Sequence, residues 1–145
     1  MALAVLTLWL SGCARKNEEY IPSRETAEAA LVRALESWRA GEPAGEVAGT
    51  KPVVFATDTS RKEAQVLVDY KILGETPGTS GRTYVVVLEL ENPPEEIKTQ
   101  YVVVGIDPLW VFRKEDYELL MHWDHYMPDT EQLDSTTSTS APLLP

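Results

Sequence analysis

The chain of 145 residues has the length of one folded domain, enough for a sheet with a helix packed on it but short for two independent cores. Hydrophobic residues make up 43% of the chain and charged residues 25%, so its middle part is expected to fold. Because 23 acidic and 13 basic residues leave a net charge of -10, the surface repels phosphate backbones, and nucleic acid is not an expected partner.

Residues 1–10 are apolar apart from Thr7. A helix needs roughly 20 apolar residues to span a bilayer, so this shorter run fits the hydrophobic region of a secretory signal. The segment Leu10-Ser11-Gly12-Cys13 consists of an aliphatic residue, two small residues and a cysteine. It resembles the lipobox of bacterial lipoprotein signal peptides, although no Lys or Arg precedes the apolar run. The resemblance implies a signal peptide over residues 1–12, cleavage before Cys13, and lipidation of Cys13.

Lipidation would also account for the single cysteine, because Cys13 alone allows neither an intrachain disulfide nor a CxxC site. Two or three acyl chains, at about 0.8 kcal/mol per buried methylene, would hold the protein permanently at a membrane surface. Residues 13–22 are then a lipidated tether of an exported protein. Ala14 is not the Asp that retains such lipoproteins at the inner membrane, which favours the outer membrane or the periplasmic face in a Gram-negative cell. The alternative is a buried N-terminal strand or helix with an incidental cysteine.

The strongest helical pattern runs from Ser23 to Ala40. Ser23 is a suitable N-cap, and Gly41 followed by Pro43 predicts the end of the helix. Apolar residues recur at spacings of three and four on one face, which is typical of an amphipathic helix: Ala27, Ala30, Leu31, Ala34, Leu35 and Trp38. Residues 41–51, with three glycines and a proline, are predicted to form a loop.

Strand patterns follow over residues 52–56, 63–73, 84–90 and 101–106, and residues 109–112 are predicted to continue the last strand past a kink at Asp107-Pro108. Within 63–73 and 84–90, alternate side chains are predicted to face the core, and the side chains between them face away from it. The predicted core faces are Ala64, Val66, Val68, Tyr70 and Ile72 in the first, and Tyr84, Val86, Leu88 and Leu90 in the second. Short links between these segments favour an antiparallel meander.

The C-terminal part of the chain is predicted to hold a short helix within residues 114–127 and a disordered tail over residues 128–145, which is rich in Ser and Thr. Residues 23–127 are therefore a single α+β domain, with one long N-terminal helix packed on a curved antiparallel sheet of three to four strands. This order of elements is similar to that of the cystatin-like and NTF2-like superfold.

One candidate metal site lies in the predicted C-terminal helix. Glu118, His122 and His125 are spaced at i, i+4 and i+7, so a helix would place them on one face, and two imidazoles with a carboxylate can bind divalent metals. The alternative is that the imidazoles interact with the negative end of the helix dipole. Since the HExxH motif is absent, a metal site is not the favoured interpretation.

The resemblance to the NTF2-like superfold also implies a ligand pocket between the helix and the sheet. The candidate residues for that pocket are Trp38, Asp69, Tyr70 and Trp110. A general base in the pocket would need a pKa raised by burial, and Asp58, Asp69 and Asp107 are the available carboxylates. The alternatives are that Asp69 is exposed and pairs across strands, and that the aromatic residues form the core.

No catalytic constellation emerges from the sequence, since neither a glycine-rich phosphate loop nor a serine nucleophile elbow is present, and no cofactor is expected. The leading hypothesis is a cell-envelope lipoprotein, anchored to a membrane through Cys13, whose domain is a non-enzymatic module that binds an envelope protein or a small ligand. The alternative is a small NTF2-like enzyme or ligand carrier with a pocket between helix and sheet.

Overall fold

The computed structural model describes residues 20–78 and 80–123, without the side chain of Trp123. The predicted signal peptide over residues 1–12, the lipidation site Cys13 and the predicted tail over residues 128–145 lie outside the described residues. The elements are α1 (Arg24–Arg39), β1 (Gly45–Val47), β2 (Val54–Thr57), β3 (Val66–Thr76), β4 (Arg82–Glu91), β5 (Glu95–Gly105), β6 (Leu109–Arg113) and α2 (Lys114–Trp123).

Helix α1 forms where the apolar pattern predicts it. The Ser23 side chain accepts a hydrogen bond from the Thr26 backbone N–H at 3.1 Å, which caps the first turn as expected. The helix ends before Gly41, whose φ of +86° is the left-handed conformation that favours glycine. All six residues of the predicted apolar face are buried, so this face packs on the sheet.

The sheet has six strands in the order β1-β2-β6-β5-β4-β3. Strands β3 to β6 form an antiparallel meander, and β1 pairs with β2 in the antiparallel direction. Strand β2, however, pairs with β6 in parallel, with Phe55 opposite Trp110 and Ala56 opposite Val111. The sheet is therefore mixed.

The α+β composition is confirmed, but the predicted antiparallel sheet of three to four strands is wrong. Two errors explain the difference. Residues 45–47 form a strand inside the predicted loop, and residues 109–113 turn back as a separate strand instead of continuing the previous one. The segment 58–65 then connects β2 to β3 across the width of three intervening strands, so the rule that sequential strands are neighbours fails at this link.

The core face of β3 also differs from the prediction. Register shifts in the pairing with β4 occur between Leu67 and Asp69 and between Ile72 and Gly74, and each leaves one extra residue in the strand. Because a bulge moves the residues before it to the other face, Leu67 is buried whereas Val66 and Val68 are exposed by 43% and 40%. The predicted alternation holds only after the first bulge, where Tyr70 and Ile72 pack against the core.

The two faces of the sheet are covered by different helices. Helix α1 covers the face that carries Val86, Leu88, Val103 and Val111, and these side chains form the core with it. The predicted inward face of β4 is confirmed, since all four of its residues are at most 2% exposed. Helix α2 contacts β5 and β6, and its Tyr117 ring packs near Phe112. Phe112 follows the core residue Val111 on β6, so its side chain points to the opposite face of the sheet. Helix α2 therefore lies over the second face.

No helix in residues 20–78 and 80–123 combines the length and apolar character needed to cross a membrane.

Candidate functional site

A buried group of charged residues lies on the α1 side of the sheet, where β2 and β6 end side by side. Val54 and Ala56 point into the core, and Asp58 continues their alternation two residues later. In the same way Arg113 follows Leu109 and Val111 on β6. The fold therefore places a carboxylate and a guanidinium at adjacent inward positions, with 1% and 11% of their side chains exposed.

Asp58 is the centre of this group. Its Oδ2 accepts a hydrogen bond of 2.7 Å from the Tyr101 hydroxyl, and Tyr101 is only 2% exposed. The same oxygen lies 3.6 Å from Nη1 of Arg113 and 3.8 Å from Nε of Arg61. One buried carboxylate is thus shared by two guanidinium groups. Glu115, with 67% of its side chain exposed, contacts Arg113 from the surface.

The turn after β2 brings Arg61 into this group. The Ser60 backbone N–H donates a hydrogen bond to Asp58 Oδ1 at 3.1 Å, which closes a tight local turn. The backbone N–H of Thr59 donates to Oδ2 of Asp116 in the first turn of α2 at 2.9 Å, so the second helix holds the turn in place. Arg61 then lies over the indole ring of Trp38, with its guanidinium carbon 4.3 Å from the ring centroid.

Burial and charge shift the pKa values of two members of the group. Burial raises the pKa of Tyr101 well above its ordinary value, and the charge and hydrogen bond of Asp58 raise it further, because all three oppose the phenolate. Burial lowers the pKa of Arg61, while Tyr101 and Asp58 act in the opposite direction. Tyr101 is therefore a hydrogen-bond donor at neutral pH.

The raised pKa of Tyr101 predicts that stability falls as the pH rises above about 10. In this range the unfolded chain loses the phenolic proton first, so unfolding is favoured. This contribution to stability is complete below the pKa of the unfolded chain. Tyr101→Phe should reduce the slope of the unfolding free energy by up to about 1.4 kcal/mol per pH unit between pH 10 and 11.

Urea denaturation at several pH values measures this slope. Some slope should remain in the variant, because burial also raises the pKa of Tyr84, and burial with Glu36 raises that of Tyr70 to about 12. Equal slopes in the variant and the parent protein would contradict the prediction.

A cleft of about 480 Å³ opens beside this group at the C-terminal end of α1. Asp58, Arg61 and Trp38 line its inner wall, and the loop after α1 contributes Pro43 and Ala44. Exposed charged residues lie around the cleft: Glu42, Lys62 and Glu63. The cleft therefore combines a largely buried cation, an aromatic ring and small apolar side chains.

The four residues predicted to line a ligand pocket are not brought together. Trp38 is 5% exposed, and its ring packs in the core beneath Arg61. Tyr70 is half-buried and donates a hydrogen bond of 2.8 Å from its hydroxyl to Glu36 Oε1. The Asp69 side chain is 67% exposed and lies 3.9 Å from Arg39 Nη1. Trp110 lies on the opposite face of the sheet from α1.

The three candidate metal ligands divide between described and undescribed parts of the chain. Glu118 and His122 are exposed on α2, and Glu118 Oε1 lies 3.6 Å from Nζ of Lys114. His125 lies outside the described residues. Within residues 20–78 and 80–123 no group of three or more His, Cys, Asp or Glu side chains has the geometry to hold a metal ion.

An aromatic row occupies the second face of the sheet. Trp110 stacks on Phe55 of the neighbouring strand, with centroids 4.6 Å apart, and on Phe112 of its own strand at 5.7 Å. Tyr117 of α2 packs on Phe112 at 5.7 Å and covers that end of the row. Phe112 is 9% exposed, whereas Trp110 remains 37% exposed. Part of this face is therefore open and apolar.

The buried charged group was missed in the sequence because only Asp58 was considered, as one of the carboxylates available for a general base. The available signal was the alternation of inward-facing residues. Asp58 is the next inward position after Val54 and Ala56, and Arg113 is the next after Leu109 and Val111. Opposite charges at the inward-facing ends of two strands indicate a buried ion pair if the two strands are neighbours. The predicted meander did not place these two strands side by side.

Comparisons with protein-family models, with curated proteins and with solved structures found no match to this chain.

Proposed function

We propose that this protein is a lipid-anchored binding module of the bacterial cell envelope, which binds a partner protein through the open part of its second sheet face. The observation that carries the proposal is Trp110, an aromatic side chain that is 37% exposed although it stacks on two other rings. Large aromatic side chains dominate the affinity of protein interfaces, and an exposed Trp held on a strand loses little conformational entropy on binding.

The charge of the chain supports a basic partner. The net charge is -10, and Glu46 of β1 lies directly opposite Phe55 in the register, so this exposed carboxylate borders the aromatic row on the same face. Interfaces commonly place an apolar centre inside a polar rim. We therefore expect the partner to present an apolar pocket for Trp110 with Lys or Arg residues around it, because opposite potentials speed association.

A photoreactive phenylalanine analogue at position 46, beside the aromatic row, tests the binding surface in intact cells and leaves Trp110 in place. We expect one main covalent adduct from position 46, and none from the same analogue at Glu28, which is exposed on α1. Once the partner in this adduct has been identified and purified, its affinity for the Trp110→Ala variant can be measured. We expect this substitution to weaken binding at least about thirtyfold, the effect of a hot-spot residue worth 2 kcal/mol. Glu46→Lys should reduce the association rate. Equal adducts at both positions, or unchanged affinity of Trp110→Ala, would rule out this surface.

The anchor is tested by Cys13→Ser in the full chain. The expected result is loss of acyl labelling and transfer of the protein from the membrane fraction to the soluble fraction, because no other cysteine can carry the lipid. Ala14→Ser is the matched control, since it changes the neighbouring residue and keeps the thiol. The anchor proposal fails if Cys13→Ser still sediments with membranes and the parent protein takes up no label.

A further inference from the structure

We infer that the cleft at the C-terminal end of α1 is a binding site for a small monocarboxylate, with Arg61 as the residue that holds the carboxylate group. This site lies on the α1 side of the sheet and does not depend on the Trp110 surface of the proposed function. Three features of the molecule support this assignment: the incomplete pairing of Arg61, its position over Trp38, and the composition of the cleft.

The pairing of Arg61 is incomplete. Its Nε is buried and has no hydrogen-bond partner within residues 20–78 and 80–123. The Asp58 oxygen with which it forms an ion pair lies 3.8 Å away, beyond hydrogen-bond range, and accepts its short hydrogen bond from Tyr101 instead. Only 12% of the Arg61 side chain is exposed, so water replaces the missing partner poorly. A guanidinium whose charge is only partly compensated gains from a second anion, which can approach Arg61 from the cleft that this side chain lines.

The indole of Trp38 positions this guanidinium for a ligand. Because the guanidinium carbon lies 4.3 Å from the ring centroid, the ring restricts the side chain of Arg61 on one side. Guanidinium N–H groups donate in the plane of the group, and a carboxylate can accept two of them in parallel. Such a pair forms with little loss of entropy when the guanidinium is held in place beforehand.

The walls of the cleft select the size and charge of the ligand. A volume of about 480 Å³ admits a short chain, and Trp38, Pro43, Ala44 and Val66 offer apolar surface for it. The exposed charges around the cleft, from Glu42, Lys62 and Glu63, add a net charge of -1. A dianion such as phosphate meets more repulsion there than a monoanion. The favoured ligand is therefore a carboxylate on a small apolar body, either a free short-chain acid or the C-terminus of a peptide.

Nuclear magnetic resonance titration of the protein with butyrate tests the site. We expect saturable shifts of the Arg61 Nε–H and Trp38 indole N–H signals, with a Kd on the order of 1 mM. Arg61→Gln should weaken binding at least about tenfold, whereas Lys71→Gln, which removes an exposed cation of β3 outside the cleft, should change it by less than about twofold. Arg61→Lys should retain weaker binding, because it keeps the charge but loses the paired donors. The amide spectrum of each variant reports whether the fold is retained.

Three further probes test whether the ligand must carry a carboxylate, and whether that carboxylate belongs to a free acid or to a peptide C-terminus. Butyramide, the neutral analogue, should not saturate the shifts, and inorganic phosphate should bind more weakly than butyrate. A tetrapeptide of alanine with a free C-terminus, compared with its amidated form, distinguishes a peptide ligand from a free acid, and both results are compatible with the carboxylate site. The inference is overturned if butyrate causes no saturable shift, if butyramide or phosphate binds as well as butyrate, or if folded Arg61→Gln binds as tightly as the parent protein.

Discussion

Replacing Asp58 with alanine is expected to lower the free energy of unfolding by about 3–5 kcal/mol, the usual cost of removing one partner from a buried ion pair. The substitution removes the buried carboxylate that Arg61 and Arg113 share, which is also the acceptor of the Tyr101 hydroxyl. Since small domains are stable by only about 5–15 kcal/mol, this is a large part of the total. Urea denaturation followed by circular dichroism measures the loss.

Asp69→Ala is the matched control for this prediction. Asp69 is also an aspartate with an arginine nearby, but its side chain is 67% exposed and its contact with Arg39 is 3.9 Å long. Exposed ion pairs contribute about 0–1 kcal/mol, so this variant should stay close to the parent protein. Asp58→Asn should fall between the two, because it keeps an acceptor for Tyr101 and loses the charge. Similar losses for Asp58→Ala and Asp69→Ala would show that the charged group does not stabilise the fold.

Trp38→Ala is expected to cost about 3–5 kcal/mol, because the indole fills the core beneath the end of α1 and its removal leaves a cavity. Trp38 is 5% exposed, belongs to the main hydrophobic cluster and supports the guanidinium of Arg61. The same substitution at Trp110 should cost only about 1–2 kcal/mol, since that side chain is 37% exposed and loses mainly two ring contacts.

This pair of substitutions separates a core tryptophan from a surface tryptophan. Denaturation of both variants in urea, with comparable m-values, gives the two losses directly. The opposite order would mean that Trp110 is the structural residue, and Trp110→Ala would then be unsuitable as a test of partner binding. The predicted order keeps that test valid, because Trp110→Ala should remain folded.

The division of the aromatic residues was one of the alternatives that the sequence left open. Trp38 is buried, as the core interpretation predicts, whereas Trp110 is 37% exposed and belongs neither to the core nor to the predicted pocket. The sequence could not place Trp110, because an aromatic residue on a strand is compatible with either face of a sheet. For Trp110 the outcome depends on how much of the second face α2 covers, which is a property of the assembled fold.

The elements whose pattern is local could be predicted from the sequence. Helix α1 has its N-cap at Ser23, its apolar face and its end at Gly41 because each of these depends on residues at most a few positions apart. Strand β4 is similar, since Tyr84, Val86, Leu88 and Leu90 alternate without interruption. The resemblance of residues 10–13 to a lipobox also depends on adjacent residues, and it remains a prediction.

The arrangement of the strands and the composition of the candidate site depend on the assembled fold. The parallel pairing of β2 with β6 joins segments that are more than fifty residues apart, and nothing local in either strand indicates its partner. The bulges of β3 likewise reverse the faces of Val66, Leu67 and Val68 through the pairing with β4. Asp58, Arg61, Tyr101 and Arg113 meet only because β6 pairs with β2 on one side and with β5 on the other. Contacts between distant residues depend on register and packing, which the local pattern does not encode.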